Sequence, residues 1–295
     1  MQTLESLSRK IKTAEDLLGV VKTMKSLAAV NIRQFERAVE SLEQYRRVVD
    51  MGWHVFLKQG GPVSRSARST LAVCLVIGSD QGLCGQFNEV LMNRVAHEID
   101  GLKKEVSDVS VWSMGEKVRD ALSDMGYGDG ERFSAPEGLT AVNTRVMNVL
   151  QMIESWRSAR GLAHFYLCHN MLSGQSGYTQ TFYRVLPLDV TWANKILREK
   201  WPTRCLPMMG LSMESMFAHL FHQHLFVSFY RALAQSLASE NAARLMAMQA
   251  AEKNIMETQD QLQGQFREQR QASITNELFD IISGFEALSD DTITV

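Results

Sequence analysis

Apolar residues recur along the first fifty positions at alternating steps of three and four: Leu4, Leu7, Ile11, Ala14, Leu18, Val21, Lys25, Ala28, Ile32, Phe35, Val39, Leu42, Arg46 and Val49. Twelve of these fourteen are apolar. The repeat predicts one strand of a left-handed coiled coil, because a helix that merely packs on a globular core loses this phase much sooner. A second stripe, Leu17, Val20, Met24 and Leu27, lies beside the seam and makes the apolar face wide enough to touch more than one neighbour.

The last 88 residues, Met208 to Val295, contain no proline and read as one helix. A helix of about 80 residues is roughly 120 Å long, more than a domain of about 150 residues can bury, so it must project. Its stripe is less regular than the first. Phe226, Tyr230, Leu233 and Leu237 make one seam, which shifts through Leu245, Met248, Ile255, Leu262 and Phe266. Ile274, Leu278, Ile281, Phe285 and Leu288 then carry apolar character to the end, beyond the reach of the first helix. An exposed apolar tip calls for another protein to enclose it. Residues 1–58 carry ten basic and seven acidic side chains (net +3), and residues 208–295 carry five and eleven (net −6), which favours pairing of the two ends. An intramolecular antiparallel coiled coil is the simplest arrangement.

Between the helices the period changes. Thr70–Ile77 is a near-continuous apolar run with β-branched residues, as in a strand covered on both faces. Helices are expected over Asn88–Lys104, Gly115–Met125 and Val142–Arg157, and further strands over Val109–Met114, Leu162–Cys168 and Tyr178–Leu188. This alternation predicts a small open α/β sheet with helices on its faces. The expected division is a coiled-coil helix over 1–58, a Gly- and Arg-bearing linker over 59–69, the α/β domain over 70–200 and the C-terminal helix over 201–295. Trp201–Pro207 forms the exit, with Pro207 placed to start the last helix.

Composition excludes more than it assigns. A net charge of −2 gives no general attraction to nucleic acid, and four cysteines without CxxC spacing argue against a zinc ribbon or a disulfide framework. No apolar run is long enough to span a membrane, and the opening MQTLESLSRKIK lacks the apolar core of a signal peptide. His219, His222 and His224 do not converge on one helix face, and no Glu or Cys stands at a helpful offset for a metal. Cys84 has no nearby base to make it a nucleophile. The turn Ser79-Asp80-Gln81-Gly82-Leu83-Cys84-Gly85-Gln86-Phe87-Asn88 sits between strand and helix, where glycines could cradle a phosphate. Its spacing is neither GxGxxG nor GxxxxGK[ST], and a structural turn with a docking edge fits it better. No cofactor or metal is expected.

Three blocks in order resemble the gamma subunit of F-type ATP synthases. Ile11-Lys12-Thr13 with Met24-Lys25-Ser26-Leu27-Ala28-Ala29 is similar to that family's RI-x-S…AM-x-MVAA stretch. SDQGLCGQFN is similar to its SDRGLCGGFN. The run from Ala238 through Ser239, Glu240, Asn241, Ala242, Ala243, Arg244 and Leu245 to Met248 resembles SEHAARMxAM, and Arg270–Leu278 (RQASITNEL) resembles RQAxITxEL.

The resemblance implies an antiparallel coiled-coil axle with a Rossmann-like α/β side domain, and a rotor that performs no covalent chemistry itself. It implies alpha and beta subunits, an epsilon subunit and the membrane ring of c subunits as partners, and a peripheral place on the cytoplasmic face of the bacterial inner membrane. By position, Met24 is expected near a lever helix of beta, with Lys22 and Lys25 facing its acidic surface. Glu240, Arg244, Arg270, Gln271, Thr275 and Glu277 are expected to touch the inner loops of the hexamer. Ile281, Phe285 and Leu288 are expected to turn in its sleeve, and Ser79, Asp80, Gly82 and Gly85 to form a structural turn open to epsilon or ring contact. The sequence departs from the family at Asp16, Leu17, Gly19, Gln81 and Arg267, and in the Trp201–Pro207 segment. These departures resemble divergent, alternate-type bacterial F-ATPases, some of them sodium-coupled.

Two other readings compete with the rotor. A free-standing coiled-coil scaffold predicts a well-behaved soluble chain on its own. A small nucleotide-binding enzyme predicts binding to the isolated chain, which calorimetry would detect.

Overall fold

The computed structural model describes residues 3–62, 71–106, 108–174, 177–205, 207–208 and 210–290, with side chains as far as 283 in the last helix. The elements run α1 (Leu4–Lys58), β1 (Leu71–Ile77), α2 (Phe87–Glu105), β2 (Asp108–Met114), α3 (Glu116–Asp124), β3 (Arg132–Phe133), α4 (Leu139–Arg160), β4 (His164–Ser173), β5 (Gly177–Leu186), α5 (Val190–Arg198) and α6 (Met213–Asp290). Every helix and strand expected from the sequence is present within a few residues, while β3 and α5 are additions. Residues 63–69 of the expected linker lie outside the described residues, as does Leu206 in the exit segment. The last helix starts at Met213 and not beside Pro207. The Ser212 hydroxyl accepts from the Ser215 amide at 3.2 Å and so supplies the cap that a helix start requires.

By compactness the chain divides inside both long helices. One unit comprises Met1–Leu27 with Ala247–Val295, and the other Ala28–Met246. In the larger unit a five-stranded sheet has the order β3-β2-β1-β4-β5, with β5 antiparallel to β4 and the other pairings parallel. The seven residues of β1 are all buried because successive side chains enter two different cores. Val73, Leu75 and Ile77 join Val142, Val146 and Ile153 of α4 and Phe229 and Leu233 of α6. Ala72, Cys74 and Val76 join Leu91, Val95 and Ile99 of α2 and Val118 of α3. A third core gathers Trp53 and Phe56 of α1, Ala193 and Ile196 of α5, and Leu220 of α6.

The two long helices pair antiparallel in each unit. In the larger unit Asn31 donates to Asn241 at 3.3 Å, and further along α1 Tyr45 donates to Gln223 at 2.6 Å. In the smaller unit Lys25 pairs with Glu252, and Gln259 donates to Glu15 at 3.3 Å. The heptad seam is the covered stripe, with Leu7, Ala14, Val21, Ala28, Phe35 and Val49 buried. The second stripe is only partly covered by the described residues: Met24 is half-buried, while Leu17, Val20 and Leu27 stay 50%, 57% and 58% exposed.

Candidate functional site

The turn after β1 is held by side-chain to main-chain bonds. Asp80 Oδ1 accepts from the amides of Glu116 at 3.0 Å and Ala135 at 3.1 Å, and the Ser79 carbonyl accepts from Lys117 at 3.1 Å. Two first-turn amides of α3, those of Glu116 and Lys117, are thus occupied by the chain's own oxygens. Gly115 makes this closeness possible. Its φ is +112°, and a Cβ there would meet the Ser79 carbonyl oxygen at 2.8 Å. Asn88 closes the other side, donating to the Ser79 hydroxyl at 2.8 Å and accepting from the Ser79 amide at 3.2 Å. Gly85, at φ +58°, and Leu83, at φ +62°, take the left-handed conformation at the tip, while Gly82 needs no such freedom. Leu83 is thereby presented to solvent, 62% exposed.

The inner side of the turn rests on α6. Cys84 and Phe87 pack against Ala243, and the buried Ser236 hydroxyl donates to the Ile77 carbonyl at 3.3 Å. Burial pushes the Cys84 thiol above its ordinary pKa, which disfavours the nucleophilic thiolate. Glu240 is buried, and Arg244 donates to it at 2.6 Å. Burial raises the Glu240 carboxyl against the lowering effect of Arg244. The structure therefore brings two distant sequence blocks, SDQGLCG and SENAAR, onto one site.

The other expected residues divide into two groups. Lys25 pairs with Glu252 across the two helices, and Met24 is half-buried, whereas Lys22 is exposed. Arg270, Gln271, Thr275 and Glu277 are all exposed on α6. Glu277 accepts from Ser273 at 3.4 Å, and Thr275 donates back to the Gln271 carbonyl at 2.9 Å. Ile281 is 72% exposed, and Ile274 and Phe279 share that exposure at 52% and 62%. The side chains of Phe285 and Leu288 lie outside the described residues.

The histidines do other work. His219 Nδ1 lies 2.7 Å from the Ser215 carbonyl on the exposed side of α6. His224 packs edge-on to Trp192 and Trp53, where burial first and Arg46 second depress its pKa to about 4. Among the described residues no group of three or more His, Cys, Asp or Glu could hold a metal ion. Two buried residues were not singled out from sequence. Asn170 donates to the Phe87 carbonyl at 3.0 Å and so ties β4 to the start of α2. His169 beside it is almost fully enclosed. An apolar run around a polar pair was their only signal.

The family model described as ATP synthase matches residues 3–288. Among relatives, the ATP synthase gamma chain of Desulforamulus reducens is 26% identical, covering 98% of this chain and all of its own length. The ATP synthase gamma chain of Geobacter metallireducens is 27% identical over 98% of this chain and 99% of its own. Among solved structures, a chain of the Euglena gracilis mitochondrial ATP synthase OSCP/F1/c-ring in rotational state 3 superposes with a TM-score of 0.65 at 17% identity, over 97% of this chain and 94% of that one. A chain from the rotor of the same enzyme in rotational state 1 gives 0.62 at 15% identity, over 92% and 98%.

Proposed function

We propose that this chain, which belongs to the ATP synthase family, serves there as the gamma subunit, the central-stalk rotor of an F-type enzyme. The observation that carries the reading is the bare end of α6. From Arg270 to Ile282 the helix keeps an apolar and polar surface in which no side chain is buried by the other described residues, on a sequence that matches the family over residues 3–288. Enclosed by a hexamer of alpha and beta subunits, that surface has the partner its exposure requires. The chain supplies no catalytic group. It acts because each orientation of an asymmetric helix pair binds one set of beta conformations better than the others, and only such differential contact shifts populations.

Lys22, Met24, Arg270, Gln271, Thr275 and Glu277 are the contact residues in this reading, with Ile281, Phe285 and Leu288 as the bearing. Lys25, Glu240 and Arg244 already hold partners within the chain. The epsilon subunit and the c ring engage the α/β elements and the segment before α6, where Met208 and Leu211 are 96% and 53% exposed. No helix among the described residues is long and apolar enough to cross a membrane. Attachment at the cytoplasmic face of the bacterial inner membrane then runs through the ring.

A tagged chain purified from its native cell is expected to bring alpha and beta subunits with it, and recovery without any ATPase subunit would sink the proposal. Charge reversal at the exposed positions, Arg270→Glu or Glu277→Lys, is expected to lower proton- or sodium-driven ATP synthesis sharply. Because surface changes of this kind cost within about 0.5 kcal/mol of stability, the chain should still assemble.

A further inference from the structure

Where α1 ends and α6 begins, the two long helices face each other over a glycine. Leu220 of α6 lies so close to Gly52 of α1 that a Cβ there would meet its Cδ2 at 2.7 Å. A glycine presents no knob to a facing helix, so that contact does little against sliding. The interlocking falls to Trp53, a fully buried ring met edge-on by Phe217 of α6 at 5.8 Å and by Trp192 of α5 at 5.4 Å. Trp192 also meets His224 of α6 at 4.7 Å, so α5 completes the hole around the Trp53 knob and touches both long helices. The end of α5 is fastened to α1 as well. His54 is only 4% exposed, and its Nδ1 lies 2.8 Å from the Ile196 carbonyl in the last turn of α5. A carbonyl only accepts, so Nδ1 carries the proton and caps α5. Trp201 lies over the same imidazole at 5.5 Å between centroids, and its indole donates to the Cys205 carbonyl at 3.0 Å. A helix of nine residues does not hold its shape alone in water, so α5 depends on these contacts.

We propose that α5 is a clasp, with Trp192 and His54 as its positioning residues, that makes a load on residues 199–205 reach both long helices. The covalent chain carries such a load forward into α6. It enters the end of α1 through α5 and Trp201, by way of the Trp192–Trp53 contact and the His54 bond. With the clasp gone, α1 shifts against α6 when the segment is turned, and part of each step is lost as slip between the helices. Only the load rests on the rotor reading, in which this segment faces the ring. The clasp itself rests on contacts within the chain.

Hydrogen exchange on the full-length chain tests the clasp, and ion pumping by the assembled enzyme tests its purpose. Trp192→Ala and His54→Ala are each expected to speed amide exchange over residues 193–203 roughly 10- to 100-fold, with β1 and β4 unchanged. Trp192→Phe keeps a ring edge and is expected to stay within about threefold of the parent. If one alanine variant does not fold, the other decides. Exchange unchanged in the alanine variants overturns the clasp, and so does failure of both to fold, because the sheet does not need a clasp. In the assembled enzyme Trp192→Ala is expected to lower the ratio of ions pumped to ATP hydrolysed, and Trp192→Phe to restore it. A merely structural role lowers pumping and hydrolysis together, so an unchanged ratio overturns the purpose. Should alpha and beta subunits not co-purify, the rotor reading fails while exchange still decides the clasp.

Discussion

Two stretches of α6 with comparable apolar content have opposite fates. Between Leu220 and Met246 the side chains of Leu225, Phe229, Leu233 and Leu237 are buried, and Ala232, Ala234 and Ala238 let neighbouring elements approach closely. Polar residues there satisfy themselves on the helix, as when Ser239 donates to the Gln235 carbonyl and Asn241 to the Leu237 carbonyl, each at 2.8 Å. Between Arg270 and Ile282 no side chain is buried, although Ile274, Leu278, Phe279, Ile281 and Ile282 are all present. Helix and burial are therefore separable. Gln, Glu, Arg and Leu sustain the helix by intrinsic preference, and the uncovered apolar surface is left for something outside the chain.

The sharpest way to break this comparison is a matched pair of truncations. Phe229→Ala removes a fully buried ring that packs edge-on to Phe165 at 5.3 Å between centroids. It should cost about 3–5 kcal/mol, and Ile281→Ala less than about 0.5 kcal/mol. Urea unfolding of both variants checks this, and similar midpoints would mean the two stretches are not differently packed.

Acid should separate the regions next. Burial depresses the His169 pKa from 6.5 to about 4. Its stabilising contribution is complete above the ordinary value and is lost as pH falls from about 6.5 toward 4, up to about 3 kcal/mol in all. His224 behaves in the same way. Asp50 has the opposite sign. Burial raises its pKa to about 6, so its contribution is present below the ordinary carboxylate value of 3.8 and is lost as pH rises through about 6. No histidine follows His224, so the bare end of α6 takes no part. Urea midpoints at pH 7 and pH 4.5 should differ less in His169→Gln than in the parent, and an equal difference would remove His169 as a source.

The smallest effect is expected at the end of the chain. Deleting the residues after Leu288 should leave both unfolding and ATP synthesis close to the parent, because a bearing surface restrains less than a lock. A large loss of synthesis would show that the last residues carry load.

Much of the architecture was legible in the sequence, because periodicity is a local property. The heptad seam from Leu4 to Val49 is the covered stripe of α1, and the run Leu71–Ile77 is a strand buried on both faces. Two elements were not foreseen. β3 is two residues long and exists only because Arg132 and Phe133 pair with Ser113 and Met114. α5 did carry a signal, since Asp189 caps it by accepting from the Thr191 amide at 3.0 Å, but residues 189–200 lie between the strand expected to end at Leu188 and the exit at Trp201, where no element was expected. The second stripe on α1 was visible as a pattern, yet the pattern could not say that Leu17, Val20 and Leu27 stay at least half exposed to solvent among the described residues.

The sequence by itself determined the helix pair, the open sheet, the uncovered end of α6 and, through its motifs, the family. Tertiary structure alone decided which charged residues remain available to other molecules. Arg244 and Arg270 look equivalent in a motif, yet one is held under cover by Glu240 and the other faces solvent. The physical reason is that the fate of a charge depends on its burial, which the packing of distant segments decides, since the i,i+4 partner of Arg244 was available on the helix itself. The cover over that stretch of α6 includes Cys84 packed against Ala243, residues 159 positions apart in the chain, a separation that no local pattern can bridge.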